Sequence, residues 1–456
     1  MLSLAIASYS LPQAMVIPML SDIRIELGTD PATTSWVVTA FLLSSCVATP
    51  IGGRLGDAWG KRRILVLSQV ALGVGALLAA VAPNIEVLLL ARVIQGLGSG
   101  TLPLAFGIVR DEWPDDRVPC IVSMLSALVA VGGGAAIVVS GPVIDEFGYR
   151  SLFVGASAVA LLVAVGVRLA LRESTDRDGG TIPVVAAVIF SGWTVALLLP
   201  VSQVGSWGWT SPRFVSTLAV AVALLVVWVL VERRSRVPLV DVTMMRLRGV
   251  WSANLVAFWV GFSLYAFLAL VPQLVQTPSA HGYGFTASAT EAGLIVLPSA
   301  VTSFLSGIAA GTMHRTFGFR VTTAVGCLTT AAGIVMAIVL HDDLVGLGLA
   351  TAVFGAGSGL TFASLASATV RAVPSSQTGV AAGLNANLRT VGGAFGLAVS
   401  STVVVSGSGA PGVASEGGYV AGFGVLAMGA VIAALSCVFI PAHLRRRRAD
   451  AVASRS

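Results

Sequence analysis

The sequence predicts an all-α, polytopic membrane protein: two six-helix bundles joined by a two-helix insert, with fourteen transmembrane helices in all. Three observations carry that prediction. The 456 residues are 56% hydrophobic and 11% charged, with a mean hydropathy of +0.91. The apolar residues gather into fourteen continuous runs. The basic residues crowd into alternate connections between those runs. A soluble domain is about 45–50% apolar and about 25% charged, so this chain has too little charge to cover a globular surface in water. Disorder is excluded by the high apolar content. The 51 glycines follow no triplet period, and four cysteines make no disulfide framework in a chain of this length.

A hydrocarbon core about 30 Å thick takes about 20 residues of helix. The runs lie at 2–21, 36–53, 64–82, 87–109, 119–143, 151–171, 182–203, 214–231, 253–275, 290–311, 321–340, 344–368, 379–404 and 419–440. They are continuous rather than alternating, which excludes the short strands of a β-barrel. The first run has no charged leader and no small-residue cleavage site before Ser21-Asp22, so it is expected to be a retained span. Placing the N-terminus inside leaves only Arg24, Arg150 and Arg213 on the outer side, with Arg92 and Arg389 inside spans. Every other basic residue then faces the cytoplasm, and both termini are expected there, in the cytoplasmic (inner) cell membrane. The net charge of +6 is thus a topology and membrane-lipid signal, not a nucleic-acid footprint.

Polar stretches at Arg172–Gly180 and Glu232–Gly249 divide the chain. The expected plan is a six-helix bundle over 1–172, a linker with two additional helices over 173–249, a second six-helix bundle over 250–442, and a basic tail over 443–456. Gly53–Arg63 and Gly311–Arg320 each follow the second run of a half, a weak internal repeat. Paired bundles of this kind place a substrate site between them near the midplane.

The segment Gly53-Arg54-Leu55-Gly56-Asp57-Ala58-Trp59-Gly60-Lys61-Arg62-Arg63 is the strongest local signal. Glycines allow a sharp turn between spans, and Asp57 sits among cations. A plain positive-inside anchor explains the arginines but not the placing of Gly53, Asp57 and Gly60. In the fourth run, Arg92 and Gln95 share a helix face, and Gly96, Gly98 and Gly100 admit a close neighbour. An intramembrane arginine faces a cavity or a partner by default, unless it snorkels to the interface. The fifth run carries Gly132-Gly133-Gly134 and Gly141-Pro142, a place for a bend.

The glycine-rich loop closely resembles the signature cytoplasmic loop of the major facilitator superfamily. That resemblance implies a conformational clasp made of Gly53, Asp57, Gly60, Arg62 and Arg63. Leu90–Gly100 is similar to the family's fourth-helix motif, which implies a link between Arg92 and proton movement. The fifth run resembles imperfectly the helix-bend motif of the drug-proton antiporters. Trp207–Pro212, Val237–Asp241, Gly293–Pro298, Gly355–Gly359 and Arg371–Gly396 resemble corresponding segments of the fourteen-span drug:proton antiporters. The resemblance covers essentially the whole chain. It implies a secondary active transporter that exports small lipophilic compounds, such as drugs, antibiotics or secondary metabolites, by proton antiport with alternating access. The same fold also serves facilitators and uptake carriers without proton exchange, and a transport-inactive sensor is the remaining alternative.

One departure bears on coupling. Such exporters often carry an aspartate in the first span, where this sequence has Tyr9. A proton carrier must titrate, and burial raises a carboxyl pKa to make that possible. Asp145 and Glu291, near outer span ends, are the acids expected to take the role, unless they are ordinary interfacial acids. Arg389 lies about 10 residues into its span, hence about 15 Å deep, with Asn385 four residues earlier. They complete the expected proton and substrate pathway of Arg92, Gln95, Asp145, Glu291, Asn385 and Arg389. Asn254, Phe258, Phe262 and Tyr265 follow helical spacing and form either a substrate wall or ordinary packing.

No nucleotide-binding glycine loop and no serine nucleophile elbow occur, and the four histidines are scattered. The chain is therefore expected to be no enzyme, to hold no metal or cofactor, to draw on a proton gradient, and to act as a monomer.

Overall fold

The computed structural model describes residues 1–29, 31–114, 117–173, 183–235, 238–279, 282–374, 377–406 and 414–441. The tail over 443–456, most of the 172–180 linker, His281, His443 and Val237 lie outside them. The described residues are helical with no strand. In order, the helices are α1 (Leu2–Ala14), α2 (Val16–Glu26), α3 (Pro31–Trp59), α4 (Lys61–Ala80), α5 (Ile85–Gly96), α6 (Thr101–Glu112), α7 (Val118–Phe147), α8 (Tyr149–Ala170), α9 (Val184–Ser202), α10 (Val204–Trp207), α11 (Pro212–Arg234), α12 (Val242–Met245), α13 (Arg248–Gln276), α14 (Ala289–Val339), α15 (Leu344–Ala372), α16 (Thr378–Ser406) and α17 (Glu416–Ser436). Eleven of the helical stretches among the described residues are long and apolar enough to cross a membrane. Much of the outer surface is bare hydrocarbon, including Val215, Val220, Val222 and Val226 on α11. Only lipid can solvate such a surface at low cost.

Several helix limits follow from local chemistry. Asn84 caps α5 through Val87 N–H at 3.0 Å, and Asp343 caps α15 through Gly346 N–H at 2.8 Å. Ser211 caps α11 through Phe214 N–H, and Pro212 fills the first turn, where no N–H is needed. Three reversals are made by single glycines with positive φ: Gly60 (109°), Gly148 (74°) and Gly318 (79°). L side chains avoid that region, so each glycine lets one helix end and the next begin at once. At Gly318 the 51-residue α14 is two helices meeting at a non-helical residue.

This corrects the sequence reading in three places. The expected loop Gly53–Arg63 is almost all helix, because α3 continues to Trp59 and α4 starts at Lys61. The first run is interrupted at Met15, between α1 and α2. The fourth run contains a 3₁₀ turn, Leu97–Gly100, between α5 and α6. The glycines there favour helix contact over helix propensity.

The halves meet along α3 with α16, and along α7 with α14 and α15. A Cβ on Gly53 would lie 2.6 Å from the Gly379 carbonyl, and one on Gly383 3.0 Å from Thr49 O. Ser123 and Ser367 hydroxyls bond at 3.1 Å, and Arg110 donates to Val370 O and to Thr378 Oγ1. These contacts close the end of the bundle that carries Lys61, Arg62, Arg110, Arg315 and Arg371, called here the basic end. At the opposite end, Gly141 of α7 approaches Thr290 of α14. The insert helices α9 and α11 pair through Phe190, Trp193 and Trp228, whose two indoles stack 6.1 Å apart. They pack over the α3–α16 seam through Ile51, Val380, Ala381 and Leu384.

Candidate functional site

A small cavity lies between the halves. Tyr9, Gln13, Ser45, Cys46, Thr49 and Ser99 line it from the first half. Tyr265, Phe362, Asn387, Arg389 and Thr390 line it from the second. The α1, α3, α13 and α16 helices thus each offer polar or aromatic side chains to one space. Arg389 is its only charged lining residue among the described ones.

Arg389 is 5% exposed, and Phe362 lies under its guanidinium at 3.8 Å. The Tyr265 phenol hydrogen-bonds it and the Tyr9 phenol acts on it electrostatically, while its Nε has no hydrogen-bond partner. Asn387 Oδ1, on the same helix, also has none. Arg92 is buried as deeply but makes three hydrogen bonds within the protein. Its Nε donates to Val37 O at 2.9 Å, and its Nη1 donates to Pro12 O at 3.3 Å and to Gln95 Oε1 at 2.6 Å. Phe41 covers it at 4.4 Å. Arg92 therefore ties α1, α3 and α5 together behind the cavity. Neither Arg92 nor Gln95 lines it.

The other expected pathway residues are placed differently. Asn385 turns to α13, donating to Ala253 O and to Asn254 Oδ1 at 3.0 Å. Glu291 is exposed and completes a capping box: its carboxylate accepts Ser288 N–H at 2.7 Å, and Ser288 Oγ accepts Glu291 N–H at 3.2 Å. It stands away from the cavity. Asp145 belongs to α7, and its side chain lies outside what is described.

Of the expected substrate wall, only Tyr265 reaches the cavity. Asn254 is held by Asn385. Phe258 and Phe262 offer their backbone carbonyls to Gly392 and Gly396, where an added Cβ would lie 1.9 Å away. The stripe is mainly a helix-packing face toward α16. In the bend motif, a Cβ on Gly132 would strike Ser10 Oγ, whereas Gly133 has room. Gly132 therefore lets α1 lie close against α7. Helix α7 runs on through Gly141 and Pro142 to Phe147, and Gly134 lies outside the described side chains.

The clasp residues split into two groups. Asp57 is buried at the end of α3, 3.8 Å from Lys61 Nζ, which bonds Asp111 at 2.7 and 2.8 Å. Arg62 pairs with Glu173 at 3.5 Å, and Glu173 also fills the space beside Gly60. These pairs join residues of the first half, and Arg63 is exposed. Contacts that cross between the halves are made by Gly53, one of the expected clasp residues, and by Arg110. Sequence reasoning passed over Arg110, Tyr9 as a cavity residue, Gln13, Ser45, Thr49, Asn387 and Thr390. The signal available was polar pairing at i, i+4 inside apolar runs, as in Tyr9/Gln13 and Ser45/Thr49.

Asp241 and His341, both outside the spans, have shifted acidity. Burial opposes ionisation of Asp241, but the Thr243 hydroxyl and N–H with the Gln377 amide prevail and hold its carboxyl low. Burial also opposes charge on His341, but Glu416 at 2.9 Å, the Ile338 carbonyl and Asp342 raise its pKa above the ordinary 6.5. His341, Asp342 and Glu416 thus form one cluster at the opposite end.

Comparison with known proteins defines the class. Residues 2–397 match the profile of the Major Facilitator Superfamily, and the chain belongs to that family. It is accordingly a multi-pass membrane transporter and not an enzyme. The multidrug resistance protein Stp of Mycobacterium tuberculosis (strain CDC 1551 / Oshkosh) is 27% identical over 395 residues, spanning 85% of this chain and 72% of that protein. The cephamycin export protein CmcT of Amycolatopsis lactamdurans is 30% identical over 405 residues, spanning 86% of this chain and 82% of that one. Among solved structures, the human organic anion transporter MFSD10 superposes with a TM-score of 0.67 at 15% identity, over 96% of this chain and 97% of that chain. That last likeness carries the fold alone.

Proposed function

We propose that this chain exports small lipophilic compounds across the cytoplasmic membrane by alternating access, in exchange for protons, with both termini inside. The observation that carries the reading is the cavity between the halves, closed at the basic end by the Gly53–Gly379 approach and by Arg110. A carrier needs such a closure on one side of its site and the ability to release it. The names of the multidrug resistance and cephamycin export relatives support drugs or antibiotics as the cargo.

The reading takes the basic end as cytoplasmic, following the positive-inside rule. It counts fourteen crossings: α14 divides at Gly318, and α1 with α2, and α7, complete the set. It treats the chain as a monomer, with membrane lipid as its surroundings and no cofactor beyond the proton gradient. Asp145 is the acid to test as proton carrier, since Glu291 is engaged in a helix cap.

A second reading, carriage without proton exchange, is favoured by one observation: no carboxylate is among the described cavity residues. Flux of a lipophilic dye from vesicles holding the purified chain, with and without an imposed pH gradient, separates the two. Gradient-dependent flux is expected; flux indifferent to the gradient supports the second reading, and no flux of any compound removes both.

A further inference from the structure

We infer that the preferred cargo carries a carboxylate or phenolate on an aromatic body, the anion binding Arg389 in the central cavity and a hydroxyl or N–H of the same molecule donating to Asn387 Oδ1. This deepens the export reading and rests on it for the identity of the site. The two intramembrane arginines make the case by their difference. Arg92 has two backbone carbonyls, the Gln95 amide oxygen and a ring as partners, and its Nε is bonded to Val37 O. Arg389 has a ring on one face, a hydrogen bond with the Tyr265 phenol, the Tyr9 phenol near it, and an Nε left without a partner. A buried guanidinium with an unused donor is costly in a low-dielectric site unless something supplies the missing acceptor.

Among the described residues, none supplies that acceptor to Nε. The described cavity lining holds no Asp or Glu, so the cavity is a net cation. Asn387 Oδ1 is equally unpartnered and buried, and offers an acceptor to a hydroxyl or N–H on the same ligand. Tyr9, Tyr265 and Phe362 line the same space and suit a flat ring system. A planar fork facing a planar anion is the pairing that Arg makes best.

The test measures equilibrium binding to the full chain in lipid nanodiscs, using anthracene-2-carboxylate and its neutral amide, anthracene-2-carboxamide. The carboxylate is expected to bind at least about tenfold more tightly, the difference that a charge-assisted pair provides. Arg389→Gln should abolish that preference while leaving amide binding within about twofold. Asn387→Asp, nearly isosteric, places a negative charge in the same cavity as Arg389 and should abolish the preference even if Arg389→Gln fails to fold. Equal binding of the two probes, or a preference that survives in the folded variants, overturns the inference. Binding is measured apart from flux, so the two proposals fail separately. Anion preference without transport defeats export, and transport of a neutral or cationic dye without anion preference defeats this inference.

Discussion

Gly53→Ala is the substitution whose effect the structure determines most tightly. Its Cβ would lie 2.6 Å from the carbonyl carbon and oxygen of Gly379 and 3.0 Å from Val380 N, whereas ordinary contact begins at 3.4 Å. All three opposing atoms are backbone, so no rotamer change relieves the overlap. Helix α3 must move away from α16, and that movement separates the halves at the basic end. Overpacking of this kind costs about 1–3 kcal/mol, which multiplies the population of the separated form by about 5–150. Gly379→Ala is predicted to act in the same direction but less, because its Cβ meets Gly53 atoms at 3.1 to 3.3 Å. The assay is the distance between spin labels at the exposed positions Arg63 and Thr316, in a background with the four native cysteines replaced by serine. Gly53→Ala should add or enlarge a long-distance population. A distribution unchanged from that of the parent would refute the argument that this approach holds the basic end shut.

Three further outcomes follow from local geometry. Asp111→Ala removes the closer partner of Lys61, a cation with 4% side-chain exposure, and should lower the thermal midpoint far more than Glu173→Ala, whose Arg62 partner is 34% exposed; breaking a buried pair costs about 3–5 kcal/mol against about 0–1 kcal/mol at the surface. The His341–Glu416 contact should stabilise fully below the ordinary imidazole pKa near 6.5 and fade as pH rises through the elevated folded value, so the midpoint difference between the parent and Glu416→Gln should shrink from pH 5.5 to pH 8.5, about 3 units. A difference that grows with pH would contradict the assignment. Glu291→Gln should leave flux and its pH dependence intact, while Ser288→Ala costs about 1 kcal/mol of stability through the lost cap; loss of pH dependence in Glu291→Gln would return that acid to the proton pathway.

Much of the architecture was legible because lipid imposes simple demands. Backbone satisfaction forces helices, and hydrocarbon thickness sets their length. The charged residues Arg92 and Arg389 stand out against so apolar a background. Facing was less legible. The Asn254–Tyr265 stripe has helical spacing, but spacing does not say which neighbour the face meets, and glycines on α16 took most of it. Asp57 read as a loop acid because the apolar run ends before it, yet α3 continues two residues past it to Trp59. Ser288-Xaa-Xaa-Glu291 is a capping-box pattern in the sequence itself, obscured by the search for a titrating group. Tyr9 was noticed only as a missing acid, and its place beside Arg389 depends on how two halves far apart in sequence meet.

The central claim is that compound leaving through the cavity is exchanged for protons. The most direct measurement follows lumenal pH in vesicles containing the purified chain, with no initial gradient, after a transported compound is added to one side. The account predicts a compound-dependent pH change opposite in direction to compound movement, absent from vesicles without protein. Compound flux with no accompanying proton movement would contradict it.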